Sequence, residues 1–90
     1  MSKEVIELKV AADSNPSSVA GAIAKNIQER KHVELVGIGA GAINQLNKAV
    51  AIASGYVAPN GYSIASKVAW TNVEMNGETK SAIKHIIIEL

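Results

Sequence analysis

The sequence contains no cysteine, so disulfides and thiolate metal sites are excluded. It also lacks phenylalanine, and aromatic residues make up only 3% of its 90 residues. The core must therefore be built from Ala, Val, Ile and Leu, each of which buries little area. A domain of this size hides only about 60% of the surface that its unfolded chain exposes. We therefore expect a single domain over residues 1–90 that forms a homodimer or a larger homo-oligomer, with the last strand's Ile86, Ile87 and Ile88 contributing apolar surface on both faces.

Long apolar runs are absent as well. The first residues, Met1 to Glu4, lack the apolar segment of a secretory signal, and no uninterrupted apolar stretch is long enough to cross a bilayer. These absences predict a soluble, cytoplasmic protein without a membrane partner.

Acidic residues are missing from the middle of the chain, although the net charge of the whole is only +1. Between Glu34 and Glu74 the only charged residues are Lys48 and Lys67. This segment could present a mildly positive, backbone-rich surface to an anion. The alternative, which the composition favours, is that an Ala/Val/Ile-rich stretch is simply the buried half of the domain.

Hydrophobic periodicity predicts the element order βαβαββ. The signals at the element ends are the N-cap and first-turn pair Asn15-Pro16, Gly55 as the residue after the second helix, and the hairpin turn Asn76-Gly77. The predicted elements are strands over 4–11, 33–38, 62–75 and 78–90, helices over 16–30 and 41–54, and a loop over 57–61.

The strand–helix–strand connections should be right-handed, which places both helices on one face of a four-stranded mixed sheet. The run over 33–38 is apolar enough for an interior strand. A two-residue turn at Asn76-Gly77 predicts a long C-terminal β-hairpin whose tip protrudes as an arm. The pairs expected across it are Val73 with Lys80, Trp70 with Ile83, and Lys67 with Ile86. The predicted fold class is thus α/β (α+β), with a four-stranded mixed sheet, two helices on one face and a protruding C-terminal hairpin.

A glycine pattern precedes the second helix. Residues 37–42, Gly-Ile-Gly-Ala-Gly-Ala, match the G-x-G-x-x-A fingerprint of dinucleotide sites, but no acid follows about 20 residues later to bind a ribose. We therefore expect no cofactor. The free N–H groups of a helix N-terminus can still bind a phosphate. The alternative, again favoured, is that the glycines only let the helix approach the sheet closely.

No constellation for catalysis or metal binding is recognisable. The two histidines, His32 and His85, lie on different predicted strands without a third ligand, and no serine stands in a G-x-S-x-G elbow. We expect His32 at an exposed strand start and His85 on a strand face. The prediction is a protein that is not an enzyme, with no metal and no small-molecule substrate.

The hairpin carries two further candidates for nucleic-acid contact. Trp70 could stack on a base, although a lone strand tryptophan more often anchors a core or a subunit interface. Lys80 and Lys84 near the tip could reach phosphates, whereas Glu74 and Glu78 beside them would oppose this.

Four contiguous blocks of the sequence are distinctive: SNPSSVAGAI at 14–23, IGAGAINQ at 38–45, KAVAIA at 48–53 and GYVAP at 55–59. Together they resemble the stage V sporulation protein S family. The resemblance spans essentially the whole chain. It implies an Alba-like fold, nucleic-acid binding and, in spore formers, regulation of late sporulation. Alba proteins bind as dimers, with the helix starts over the duplex and the hairpins along the minor groove.

The chain departs from Alba proteins where those carry cations. Lysines before the first helix and an arginine before the second are replaced here by Ser14, Asn15 and Ala40. Because affinity for DNA comes largely from cations that displace counterions, weak binding is expected.

The predicted function is a non-enzymatic, sporulation-type regulator that binds nucleic acid, DNA or RNA, as a dimer. The alternative is a structural or adaptor protein that contacts other proteins through the same surface. Helices that follow neighbouring parallel strands start at the same edge of the sheet, so the site is predicted there, with one lysine on the arm. The predicted binding residues are Asn15, Ser17, Gly39, Gly41, Asn44, Gln45, Lys48 and Lys80.

Overall fold

The structure, a computed structural model, describes residues 4–90, so residues 1–3 of the predicted domain lie outside the described part. Its element order is the predicted βαβαββ. In chain order the elements are β1 (Val5–Val10), α1 (Pro16–Gln28), β2 (His32–Gly37), α2 (Ala40–Val57), a 3-10 turn (Ala58–Asn60), β3 (Ile64–Met75) and β4 (Glu78–Glu89).

The strands form one four-stranded mixed sheet in the order β1-β2-β4-β3. The strand β1 pairs in parallel with β2, and β4 pairs antiparallel with both β2 and β3. This arrangement confirms the predicted mixed sheet and the interior position of β2.

Both helices pack on one face of the sheet, as predicted, because alternate strand residues and the apolar stripes of the helices form a single core. The largest fully buried side chains are Ile23, Ile27, Leu35, Leu46, Val33 and Val57. Of the three consecutive isoleucines of β4, Ile87 joins this core, whereas Ile86 is half-buried and Ile88 exposed on the opposite face. No helix within residues 4–90 is both long enough and apolar enough to cross a membrane.

The helix ends differ from the prediction. The helix α1 stops at Gln28 rather than residue 30, because Arg30 adopts a left-handed φ of 64°. The helix α2 begins at Ala40 and runs through Gly55 to Val57, so the predicted stop at Gly55 is wrong. The chain turns instead at Gly61, whose φ of 86° is readily available only to glycine.

The C-terminal hairpin has the predicted register at all three pairs: Val73 with Lys80, Trp70 with Ile83 and Lys67 with Ile86. Asn76 and Gly77 both have positive φ, 53° and 78°, as a type I′ turn requires. Only 83–86 of β4 pair with β2. The distal part of the hairpin, 71–82, is a two-stranded arm that extends past the carboxyl ends of β1 and β2.

Candidate nucleic-acid interface

The two helix starts meet at one edge of the sheet, where the parallel strands β1 and β2 end. Two contacts join them. The Nε2 of Gln45 in α2 donates to the carbonyl of Ser14 at 2.8 Å, and a Cβ added to Gly41 would lie only 2.9 Å from the Cβ of Ala12. The loop before α1 and the first turns of α2 therefore form one continuous surface, with the arm projecting from the same edge.

The start of α1 is closed to an incoming anion. Asn15 is its N-cap, and the Oδ1 of Asn15 accepts from the N–H groups of Ser17 at 2.9 Å and Ser18 at 3.1 Å. The N–H of Val19 donates to the Asn15 carbonyl, and Pro16 has no N–H. Every backbone donor of the first turn is therefore occupied or absent.

The start of α2 is open by contrast. Its N-cap is Gly39, and no side chain caps it. The first helical hydrogen bond runs from the N–H of Ile43 to the Gly39 carbonyl at 3.0 Å. The three preceding N–H groups, at residues 40–42, point out of the helix end and carry the positive pole of its dipole. Ala40 and Gly41 are exposed, so this end faces solvent.

The glycine pattern before α2 has a structural explanation at each step. Gly39 adopts a φ of 87°, which a residue with a Cβ rarely takes. Gly41 permits the close approach to Ala12, and a Cβ at Gly37 would already lie 3.4 Å from Ala42. The packing interpretation of these glycines is therefore supported, and the same geometry leaves the backbone of the helix start uncovered.

Polar side chains flank the open start of α2. Asn44 and Lys48 are both exposed and lie one turn apart, so they share one side of the helix. Gln45 is half-buried, and its amide is used in the bond to Ser14. Lys80 stands apart on the arm, opposite Val73 in β3.

The structure corrects the prediction for Lys84, which placed this residue near the hairpin tip, where it could reach phosphates. It lies in the body of the sheet, where its Nζ is 3.0 Å from Glu34 and 3.7 Å from Glu7. The hydrogen bond to Glu34, followed by the charges of Glu34 and Glu7, raises the pKa of Lys84 in spite of its partial burial. This cation is already paired within the sheet.

The histidines lie apart, as predicted. His32 is the exposed first residue of β2, whereas His85 is buried under the helices with Nδ1 2.6 Å from the Oγ of Ser66. Burial lowers the pKa of His85, so it is neutral near pH 7. Within residues 4–90, no three His, Asp or Glu side chains are grouped to hold a metal ion.

Trp70 does not anchor the core, since 70% of its surface is exposed on β3. Its neighbour on the same strand face, Val68, is 58% exposed. The helices do not extend over this part of the hairpin. Of the interpretations weighed for Trp70, base stacking and a subunit interface both require such exposure.

Sequence reasoning missed the roles of two residues. Ser14 fixes the loop before α1, since its Oγ accepts from the N–H of Ala11 at 2.9 Å while its carbonyl accepts from Gln45. The pairing of Lys84 with β2 was also missed. The register between β2 and β4 could have indicated this pairing, because it places Lys84 opposite Val36 and diagonally across from Glu34.

The chain matches the model of a known protein family. The model of the family described as Stage V sporulation protein S (SpoVS) matches residues 6–89 of the chain. The matched segment contains both helices, the whole hairpin, and β1 except for its first residue.

Proposed function

Because this chain belongs to the stage V sporulation protein S family and is thus a sporulation-related protein, we propose that it is a non-enzymatic regulator that binds nucleic acid as a homodimer. The observation that carries the proposal is the uncapped, exposed start of α2. It offers backbone donors and a positive dipole to a phosphate, and α2 continues from it with the outward-facing Asn44 and Lys48.

The predicted residues take different parts in this proposal. Gly39 and Gly41 leave room for a phosphate at the backbone, Asn44 donates to phosphate or sugar, and Lys48 supplies charge. Three other residues hold the surface in shape: Asn15 and Ser17 through the cap of α1, and Gln45 through Ser14. Lys80 would make a separate contact from the arm.

Binding through this surface is weak and depends on the phosphate backbone rather than on sequence. Few cations are available to this surface: Lys48 is exposed on α2, whereas Lys84 is paired with Glu34 and Glu7 on the opposite sheet face. We expect the logarithm of affinity to fall with the logarithm of salt concentration with a slope of only about 2 to 4, since each neutralised phosphate contributes roughly 0.9. Titrations with duplex DNA, single strands and RNA at several salt concentrations measure this slope.

The variant Lys48→Glu tests the site directly. It reverses the charge on the exposed side of α2, so it should abolish retention of nucleic acid at low salt while leaving the melting temperature nearly unchanged. The matched control is Lys25→Glu, the same charge change on the exposed side of α1 in its last turn. Retention should survive in the control.

Two outcomes would contradict the site. If Lys48→Glu and Lys25→Glu lose retention equally, only net charge matters and the helix start is not the contact. If Lys48→Glu binds normally and Lys80→Glu does not, the contact lies on the arm.

A second candidate function, an adaptor that binds proteins, is favoured by a specific feature of the opposite sheet face. A concavity of about 510 Å³ lies there between the arm and the ends of β1 and β2. Apolar side chains contribute to its lining, among them Val36, Ile38, Val73 and Met75. If the unmodified protein retains no nucleic acid at any salt concentration, the adaptor function is the better explanation.

A further inference from the structure

The outer edge of β3 is long and has no protection against pairing. Among the described strands, β3 forms one edge of the sheet with 12 residues, and β1 forms the other with 6. Natural edge strands are usually kept short or carry proline, bulges or several charges, because their free N–H and C=O groups can pair with another chain. The strand β3 has no proline, pairs with β4 without a bulge, and carries only Lys67 and Glu74 as charges.

Exposed apolar side chains lie along this same edge. Val68 and Trp70 are two residues apart and therefore point to the same face, with exposed fractions of 58% and 70%. Ile83 lies opposite Trp70 on β4 and is half-buried. A tryptophan buries about 150 to 250 Å² when it is covered. Left in water, this cluster would be a costly apolar surface.

We propose that a second copy of the chain pairs antiparallel with this edge, β3 against β3, about a twofold axis at Ala69. The inference rests on the homodimer of the proposed function and specifies its contact surface. In this register the two strands present their side chains to the same faces. Val68 lies opposite the second copy's Trp70 on one side of the axis, and Trp70 lies opposite the second copy's Val68 on the other. The two sheets then join into one, with all four helices on the same face.

The charges of β3 are compatible with this register. Lys67 lies opposite the second copy's Thr71, and Glu74 lies opposite its Ile64, so no like charges face each other. The edge of β1 offers no comparable surface, because its outward side chains include Glu7 and Lys9 and only Val5 is a strongly exposed large apolar residue. Complementarity of charge and apolar surface therefore selects the β3 edge.

The lone tryptophan reports on this contact without any substitution. In a dilution series of the full chain, light scattering should give twice the chain mass of 9.4 kDa at micromolar concentration. The Trp70 emission should shift to longer wavelength as the mass falls on dilution. A dimer whose tryptophan emission stays that of a solvent-exposed indole would overturn the inference.

Two variants test the same surface by opposing charge. Val68→Lys and Trp70→Lys each place two lysines in the apolar pairs of the dimer, so each should shift the dissociation constant at least tenfold toward monomer. Because both side chains are already exposed, the fold should persist, as circular dichroism would show. The matched control is Tyr56→Lys, an exposed aromatic at the end of α2 that lies outside this edge and should remain dimeric.

Retention of nucleic acid, measured on the same samples, separates this inference from the proposed function. A monomeric Trp70→Lys supports the edge contact whether or not it still binds at low salt, and loss of binding together with the dimer agrees with binding as a homodimer. A Trp70→Lys dimer that has lost binding overturns the edge contact, since Trp70 would then serve as a base-stacking residue. If the unmodified protein is monomeric but binds nucleic acid, only the dimer is overturned. If it forms a dimer through β3 but binds no nucleic acid, only the binding function is overturned.

Discussion

The two helices start at the same edge of one sheet, yet their first turns present opposite chemistry. At α1, Asn15 accepts from two backbone N–H groups and Pro16 removes a third donor. At α2, Gly39 provides no side-chain acceptor, and the donors of the first turn stay open. The α1 start is thus closed by its own residues, whereas the α2 start is open to an acceptor from outside.

The difference shows that two helices that start at one edge of a sheet do not both offer free N–H groups. Sequence alone placed Asn15 and Ser17 among the ligand-binding residues because both are polar and lie at a helix start. In the structure the Oδ1 of Asn15 and the backbone N–H of Ser17 bond to each other within the cap. The open backbone donors that remain are those of the α2 start, and the loop before α1 is the support against which Gly41 and Gln45 are held.

The largest effect on this arrangement is expected from Gly41→Ala. A Cβ at position 41 would meet the Cβ of Ala12 at 2.9 Å, so the two helix starts must move apart. We expect the free energy of unfolding to fall by about 1 to 3 kcal/mol, as for other overpacked sites. Each kcal/mol lowers the melting temperature of a domain of this size by about 4 to 8 °C, which calorimetry would detect.

The matched control is Gly21→Ala in α1. Apart from the neighbouring backbone of its own helix, a Cβ there would have no heavy atom within 4 Å. The helix also gains stability when glycine is replaced by alanine. Stability should rise by about 0.5 to 1 kcal/mol. If both variants were stabilised alike, the close approach of α2 to the loop before α1 would be wrong.

A smaller effect is expected from Asn15→Ala, which opens the closed helix start. Loss of the cap should cost about 1 kcal/mol of unfolding free energy. Because the N–H groups of Ser17 and Ser18 become available, retention of nucleic acid should be unchanged or stronger. Asn47→Ala, an exposed change on α2, is the control and should alter stability by less than about 0.5 kcal/mol. Weaker retention in Asn15→Ala would contradict this expectation and would mean that the capped α1 start either touches the ligand or holds the binding surface in shape.

Local signals predicted the fold because they agree with one another. The turn Asn76-Gly77 fixed the hairpin register, since a two-residue type I′ turn leaves a single pairing for strands with a buried face. The predicted end of α2 at Gly55 was wrong for a reason that is also local. A glycine ends a helix only where the chain needs a left-handed residue, and here that residue is Gly61.

The candidate site was less predictable because it depends on which polar atoms are already used. No local pattern shows that Gln45 bonds to the carbonyl of Ser14, or that Lys84 is paired with Glu34 on a neighbouring strand. Both contacts join elements that are distant in sequence. Residue type and position indicated the edge of the sheet at which we propose the site, whereas the availability of each donor required the tertiary structure.

The smallest effect on stability, and the sharpest test of the comparison, comes from an acidic residue placed at each helix start. Ala40→Glu and Ser18→Glu both add a carboxylate to a first turn that has none, and each should stabilise its helix by about 0.3 to 1 kcal/mol through the dipole. At α2 the new carboxylate competes with a phosphate for the open N–H groups, so Ala40→Glu should lose most retention of nucleic acid. At α1 these groups are already bonded to Asn15, so Ser18→Glu should lose only the small part that follows from a change of one charge.

Thermal unfolding and retention at low salt, measured on both variants, give the two readouts. The two variants add the same charge and differ only in whether the helix start is already capped. Equal losses of retention would therefore show that charge near the edge of the sheet determines binding and that the open N–H groups do not.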